Sequence, residues 1–180
     1  VSTRDRRKPG WSPAQVSWRE WLGLAAGLLA VASLFLPWTQ LSSANPEVSA
    51  ALAELPAEDV SRSVWKATFF GWLAPLLVAI SGVCVVLLGQ RPLLRRSGLP
   101  QLWLIAASVA ACATVLAWVF VEWQFGAEQR AFLAVSGVNF DAASGRYLGA
   151  LAVLLSFVGA VLDVRAAVSR GRSRKRAAGR

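Results

Sequence analysis

Leu102-Trp-Leu-Ile-Ala-Ala-Ser-Val-Ala-Ala-Cys-Ala-Thr-Val-Leu-Ala-Trp-Val-Phe-Val121 is a run of twenty residues without a charged side chain. Wound as an α-helix at ~1.5 Å per residue, it measures about 30 Å, the thickness of a bilayer's hydrocarbon core. Three more apolar runs accompany it, at 21–38, 64–89 and 147–164. The expected fold is all-α: a transmembrane four-helix bundle over residues 18–165, with spans at about 21–38, 64–89, 102–121 and 147–164. The flanking arms, 1–17 and 166–180, are basic and poor in large apolar residues, so they are expected to be disordered.

Charge sets the orientation, because Lys and Arg near span ends stay on the cytoplasmic side. Arg4, Arg6, Arg7, Lys8 and Arg19 precede the first span, Arg91, Arg95 and Arg96 lie in the middle loop, and Arg165, Arg170, Arg172, Arg174, Lys175, Arg176 and Arg180 follow the last. These are fifteen of the nineteen basic residues. The first and third loops hold only Arg62, Lys66, Arg130 and Arg146, but seven of the ten acids: Glu47, Glu54, Glu58, Asp59, Glu122, Glu128 and Asp141. Both termini and the middle loop are therefore expected inside a plasma membrane, with the other two loops outside. The first span is expected to be retained. Ser42-Ser43-Ala44 would suit signal cleavage, but the preceding arm is long and the apolar run exceeds a signal core of roughly 7–15 residues.

The net charge of +9 raises the possibility of a nucleic-acid partner. No aromatic side chain interleaves the basic tail and no binding module accompanies it, so no nucleic acid is expected. Arg172, Arg174, Lys175 and Arg176 follow directly on a membrane exit. They are candidate contacts for anionic lipid of the inner leaflet, at roughly 1 kcal/mol per basic residue.

Within lipid, helices associate by close backbone approach rather than by apolar burial. Gly23 and Gly27 on the first span, and Ala152, Ser156 and Ala160 on the fourth, form small-residue faces suited to packing within the bundle or against another protein. Pro75 deletes a backbone donor inside the second span and is a candidate kink. Trp18, Trp21, Trp38, Trp65, Trp103, Trp118 and Trp123 fall near span ends, where indole rings mark the headgroup level. In the first outer loop, Asn45-Pro46-Glu47 reads as a helix start, and Val48, Ala51, Leu52 and Leu55 follow on one face up to Pro56. A second short helix is expected at 127–135.

The chain has no histidine and no methionine, which removes the usual haem ligands and the commonest metal ligand. Cys84 and Cys112 lie at different depths of their spans and are expected to be buried free thiols. No catalytic triad, phosphate loop or mid-span charge appears, so no catalytic, cofactor-binding or metal residue is assigned, no cofactor is expected and the chain is not expected to be an enzyme. Two functions lead, ahead of a lipid-handling enzyme that borrows a site from a partner. The first is a non-catalytic accessory or scaffold subunit of a cell-envelope assembly, with a protein partner or a second copy in the membrane. The alternative is a small channel or transporter for an apolar or weakly polar solute, using Pro75 and the Ser81, Ser108 and Thr114 hydroxyls.

Leu34-Phe-Leu-Pro-Trp38 closing the first span, and Gly145-Arg-Tyr-Leu-Gly-Ala150 opening the fourth, resemble the corresponding stretches of a class of uncharacterised four-span actinobacterial membrane proteins. The resemblance implies a cell-envelope protein of a high-GC bacterium and carries no activity or functional residue with it. The layout also resembles that of claudins, without their cysteine pair in the first outer loop.

Overall fold

The computed structural model describes residues 12–66, 69–120 and 126–178. Helix α1 (Trp18–Leu34) starts from a capping box: Ser17 Oγ accepts from the Glu20 amide at 3.4 Å, and Glu20 Oε2 accepts from the Ser17 amide at 2.8 Å. Pro37 ends it, since a proline pushes the residue before it out of helical geometry. The expected span at 21–38 is thus displaced toward the N-terminus, and α1 is about 26 Å long by its 17 residues. Helix α4 (Phe69–Leu88) passes through the buried Pro75 as one helix. Helix α6 (Leu99–Val119) starts after Gly98, whose φ of 107° suits glycine and reverses the chain out of the short α5 (Pro92–Arg96). Helix α8 (Ser144–Ala178) continues well past the expected exit at 165, because its Ala- and Arg-rich continuation contains good helix formers and no proline. Three helices, α4, α6 and α8 over Ser144–Arg170, are long and apolar enough to cross a membrane.

The fold is mostly helical but not all-α. A three-stranded antiparallel sheet in the order β2-β1-β3 covers one end of the helices. It comprises β1 (Pro37–Ser43), β2 (Ser61–Ser63) and β3 (Val138–Ala142). β1 lies in the middle, pairing with β2 through Gln40 opposite Ser61, and with β3 from Thr39 opposite Ala142 to Ser43 opposite Val138. The three strands come from two loops read as cap helices and turns. Those helices also form, as α2 (Pro46–Glu54), α3 (Ala57–Val60) and α7 (Ala127–Val135), with Asn45 Oδ1 accepting from the Glu47 amide at 3.0 Å.

α1 and α6 each pack against both α4 and α8, and α4 also touches α8. The interior at mid-length is built from small residues: Ala26, Ala30, Ala74, Val78, Ala110, Ala113, Ala152 and Val153. Large aliphatic side chains point outward instead, among them Leu28, Ile80, Leu102, Ile105, Val115, Leu151 and Leu154. Small inside and large outside is the arrangement expected of helices packing in lipid.

Candidate functional site

Glycines fix how closely the helices approach. A Cβ on Gly82 of α4 would lie 2.4 Å from the Gly23 carbonyl oxygen, and one on Gly27 would lie 3.4 Å from the Ala79 Cα, so α1 and α4 meet backbone to backbone. Gly23 also borders Trp103, as does Gly159 of α8: a Cβ at either would stand 2.7 or 3.0 Å from the ring. The indole of Trp103, 2% exposed, thus lies between α1 and α8, and its N–H donates to Ser156 Oγ at 3.2 Å. Ala152, Ser156 and Ala160 are fully buried. All five residues singled out for helix packing face other parts of this chain rather than an outside surface.

Around Trp103, at the loop end of the body, four charged side chains meet. Glu20 and Asp163 are nearly fully buried. Arg95 of α5 places Nη2 3.1 Å from Glu20 Oε1 and 3.5 Å from Asp163 Oδ1, and Arg19 Nε lies 3.4 Å from Asp163 Oδ1. The cluster holds two carboxylates and two guanidinium groups, so it is neutral in sum. Room for Glu20 is left by Gly89, where a Cβ would fall 2.7 Å from Glu20 Oε1. Gln90 ties the N-terminal segment to the same end, accepting from the Ser12 amide at 3.0 Å and donating to the Ser12 carbonyl at 2.7 Å. Asp163 of α8 thus pairs with basic residues of two neighbouring segments, α1 and α5. Glu20 was missed, although Ser17-Trp-Arg-Glu20 is the capping-box pattern that marks it.

The sheet end is organised around Trp38, 3% exposed and packed with Leu34 and Val64. Its indole N–H donates to the Ser33 carbonyl at 2.8 Å, adding to the 3.4 Å bond from the Leu36 amide to the same oxygen at the end of α1. Gly145 and Gly149 of α8 make the space, since a Cβ there would lie 2.6 or 3.0 Å from the ring. Trp38 and Trp103 are therefore buried packing residues and not depth markers at the headgroup level. Their N–H groups find partners inside the protein, and facing glycines admit the rings. Trp18, Trp21, Trp65 and Trp118 are exposed; Trp123 and Glu122 lie outside the described residues.

Beside Trp38, Arg146 is buried at 4% exposure. Its Nη2 donates to Thr39 Oγ1 at 3.0 Å, and its guanidinium carbon lies 5.5 Å from the centre of the Trp118 ring, which stacks edge-on with Tyr147. No carboxylate pairs with it among the described residues, in contrast to the loop end.

Two open grooves flank α7 on the sheet end. One, of about 440 Å³, is lined by Leu41, Asp59, Arg62, Glu128, Phe132 and Leu133 among others. The other, of about 870 Å³, runs between α7 and β3. The hydroxyls considered for a solute path all bond back to their own helix: Ser81 to the Val78 carbonyl at 3.1 Å, Ser108 to Leu104 at 2.8 Å and Thr114 to Ala110 at 2.9 Å. Cys84 is half-buried and Cys112 exposed, so the expectation that both are buried is corrected; Cys112 sits on the α6 surface that faces away from the neighbouring helices. Arg172 is exposed on the continuation of α8, while the side chains of Arg174, Lys175 and Arg176 lie outside the described residues. Among the described residues, no group of three or more His, Cys, Asp or Glu is placed to hold a metal ion. Neither a protein-family model nor a curated protein matches this chain.

Proposed function

We propose that the chain is a four-span plasma-membrane protein, a transmembrane four-helix bundle with both termini and the loop end cytoplasmic. It acts as a non-catalytic accessory subunit of a cell-envelope assembly, its sheet end standing outside as the contact surface. Large aliphatic residues on the outside of α1, α4, α6 and α8, against alanine and glycine within, support the membrane setting. The excess of Lys and Arg at the loop end supports the orientation. The likeness to four-span actinobacterial proteins supports a bacterial cell envelope.

One observation carries the accessory role. Trp103 lies lodged between α1 and α8 amid small interior side chains, whereas open grooves occur on the sheet end. Small-residue faces are spent inside the chain, so a partner is held by the outer cap and not through those seams. The solute-path alternative loses its lining, since Ser81, Ser108 and Thr114 serve their own helices. In the inner leaflet, Arg172, Arg174, Lys175 and Arg176 contact anionic lipid.

Affinity purification of the chain from its native membranes in polymer discs, with mass spectrometry, tests the role. A companion at fixed stoichiometry is the expected result. A solitary protein that conducts a solute in reconstituted vesicles would replace the accessory reading with the transport one.

A further inference from the structure

The smaller groove at the sheet end, of about 440 Å³, is walled by four elements. β1 contributes Leu41, α3 and β2 contribute Asp59 and Arg62, and α7 contributes Glu128, Phe132 and Leu133. Glu128 and Phe132 share one side of α7 by their i, i+4 spacing, so the helix presents a carboxylate and a ring to the same space. Leu41 and Leu133 extend the apolar lining. Phe132 is 71% exposed, and Val135, its i+3 neighbour on the helix surface, is 91% exposed. Apolar surface thus runs along α7 beyond the groove. A small solute would leave it uncovered, since solute sites enclose most of their ligand.

The polar rim is unbalanced. Asp59 and Glu128 are exposed, and among the described residues neither side chain makes an ion pair or a hydrogen bond. Arg62 is the one base among the described lining residues, and it is already engaged. The charge left unanswered is therefore negative, which repels phosphate-bearing surfaces and attracts cations. A carboxylate beside apolar surface suits arginine or lysine in particular. Their methylene stems lie along the apolar part while the charged head reaches the acid.

We propose that this groove receives a basic side chain, arginine or lysine, from an apolar-flanked segment of a partner protein. The cation pairs with Asp59 and Glu128, and the stem and its apolar neighbours cover Leu41, Phe132 and Leu133. Apolar contact supplies most of the affinity. The exposed carboxylates supply association rate and selection against acidic segments. The inference rests on the accessory-subunit reading and names the chemistry by which the partner is held.

The probe is a displayed library of random decapeptides, panned on the full chain in phosphatidylcholine nanodiscs against empty nanodiscs. Enriched peptides should carry arginine or lysine beside large apolar residues and few acids. Synthesised hits should bind Asp59→Asn with Glu128→Gln about tenfold more weakly than the parent, and with a shallower dependence on salt. Binding should weaken at least as much in Phe132→Ser and be lost in Asp59→Lys with Glu128→Lys. All three positions are exposed, so the thermal midpoints of these variants should match the parent. No enrichment over empty discs, enrichment of acidic peptides, or hits that bind the lysine double variant undiminished would overturn the proposal. Native pull-downs separate the two readings. A companion that accompanies the lysine double variant as it does the parent leaves the accessory role standing and refutes the groove. A companion lost from that variant supports both.

Discussion

At the loop end, Trp103 fills the space left by Gly23 and Gly159; at the sheet end, Trp38 fills the space left by Gly145 and Gly149. Both indoles are buried and both spend their N–H inside the chain, one on the Ser156 hydroxyl and the other on the Ser33 carbonyl. Charge is handled differently. Glu20, Asp163, Arg95 and Arg19 form a neutral cluster that joins α1, α5 and α8, whereas Arg146 is buried against a threonine hydroxyl and an aromatic face. The comparison separates two roles for buried polar groups. At the loop end, each charge depends on its neighbours, so removing one exposes the rest. At the sheet end, no carboxylate pairs with the charge among the described residues.

Substitutions at the two ends should break or sharpen that contrast, and unfolding in detergent by heat or denaturant reads them all. Trp103→Ala should be the most damaging, at about 3–5 kcal/mol, because it leaves a cavity between helices that glycine contacts hold at fixed spacing. Arg95→Met comes next. Taking the ionic partner from buried Glu20, while Asp163 keeps Arg19, costs roughly 3 kcal/mol or somewhat less, since the Arg95 side chain is itself about a quarter exposed and already shares part of its charge with water. Gly145→Ala should cost about 1–3 kcal/mol by driving Trp38 off its seat. Trp38→Phe leaves an aromatic side chain but removes the shorter of the two bonds to the Ser33 carbonyl, for about 1 kcal/mol. Arg146→Met should be the mildest, near neutral or stabilising, since among the described residues no carboxylate pairs with Arg146 and an apolar side chain of similar length takes its place. Equal losses for Arg95→Met and Arg146→Met would erase the distinction between the ends.

The apolar helices and the small-residue faces were legible in the sequence, because a period of 3.6 and a run of some twenty apolar residues are local signals. So were α2 and α7, each announced by its own start and length. The sheet was not. β1 pairs with strands about 20 and about 100 residues away, with no two-residue hairpin turn to reveal either pairing. Pro37-Trp-Thr-Gln-Leu-Ser-Ser43 reads in isolation as the tail of a span followed by a polar loop. The burial of Trp38 and Trp103 depends on glycines from other helices, so position near a span end suggested lipid where the fold supplies protein.

The central claim is that the sheet end and the loop end face opposite sides of one membrane. Single cysteines at Ala44, Ser97 and Val135, all at exposed positions, in a background with Cys84 and Cys112 replaced by serine, put it to the most direct test. An impermeant maleimide applied to intact cells should label Ala44→Cys and Val135→Cys at once and Ser97→Cys only after the membrane is opened. Labelling of Ser97→Cys from outside, or protection of either sheet-end position, would contradict the account.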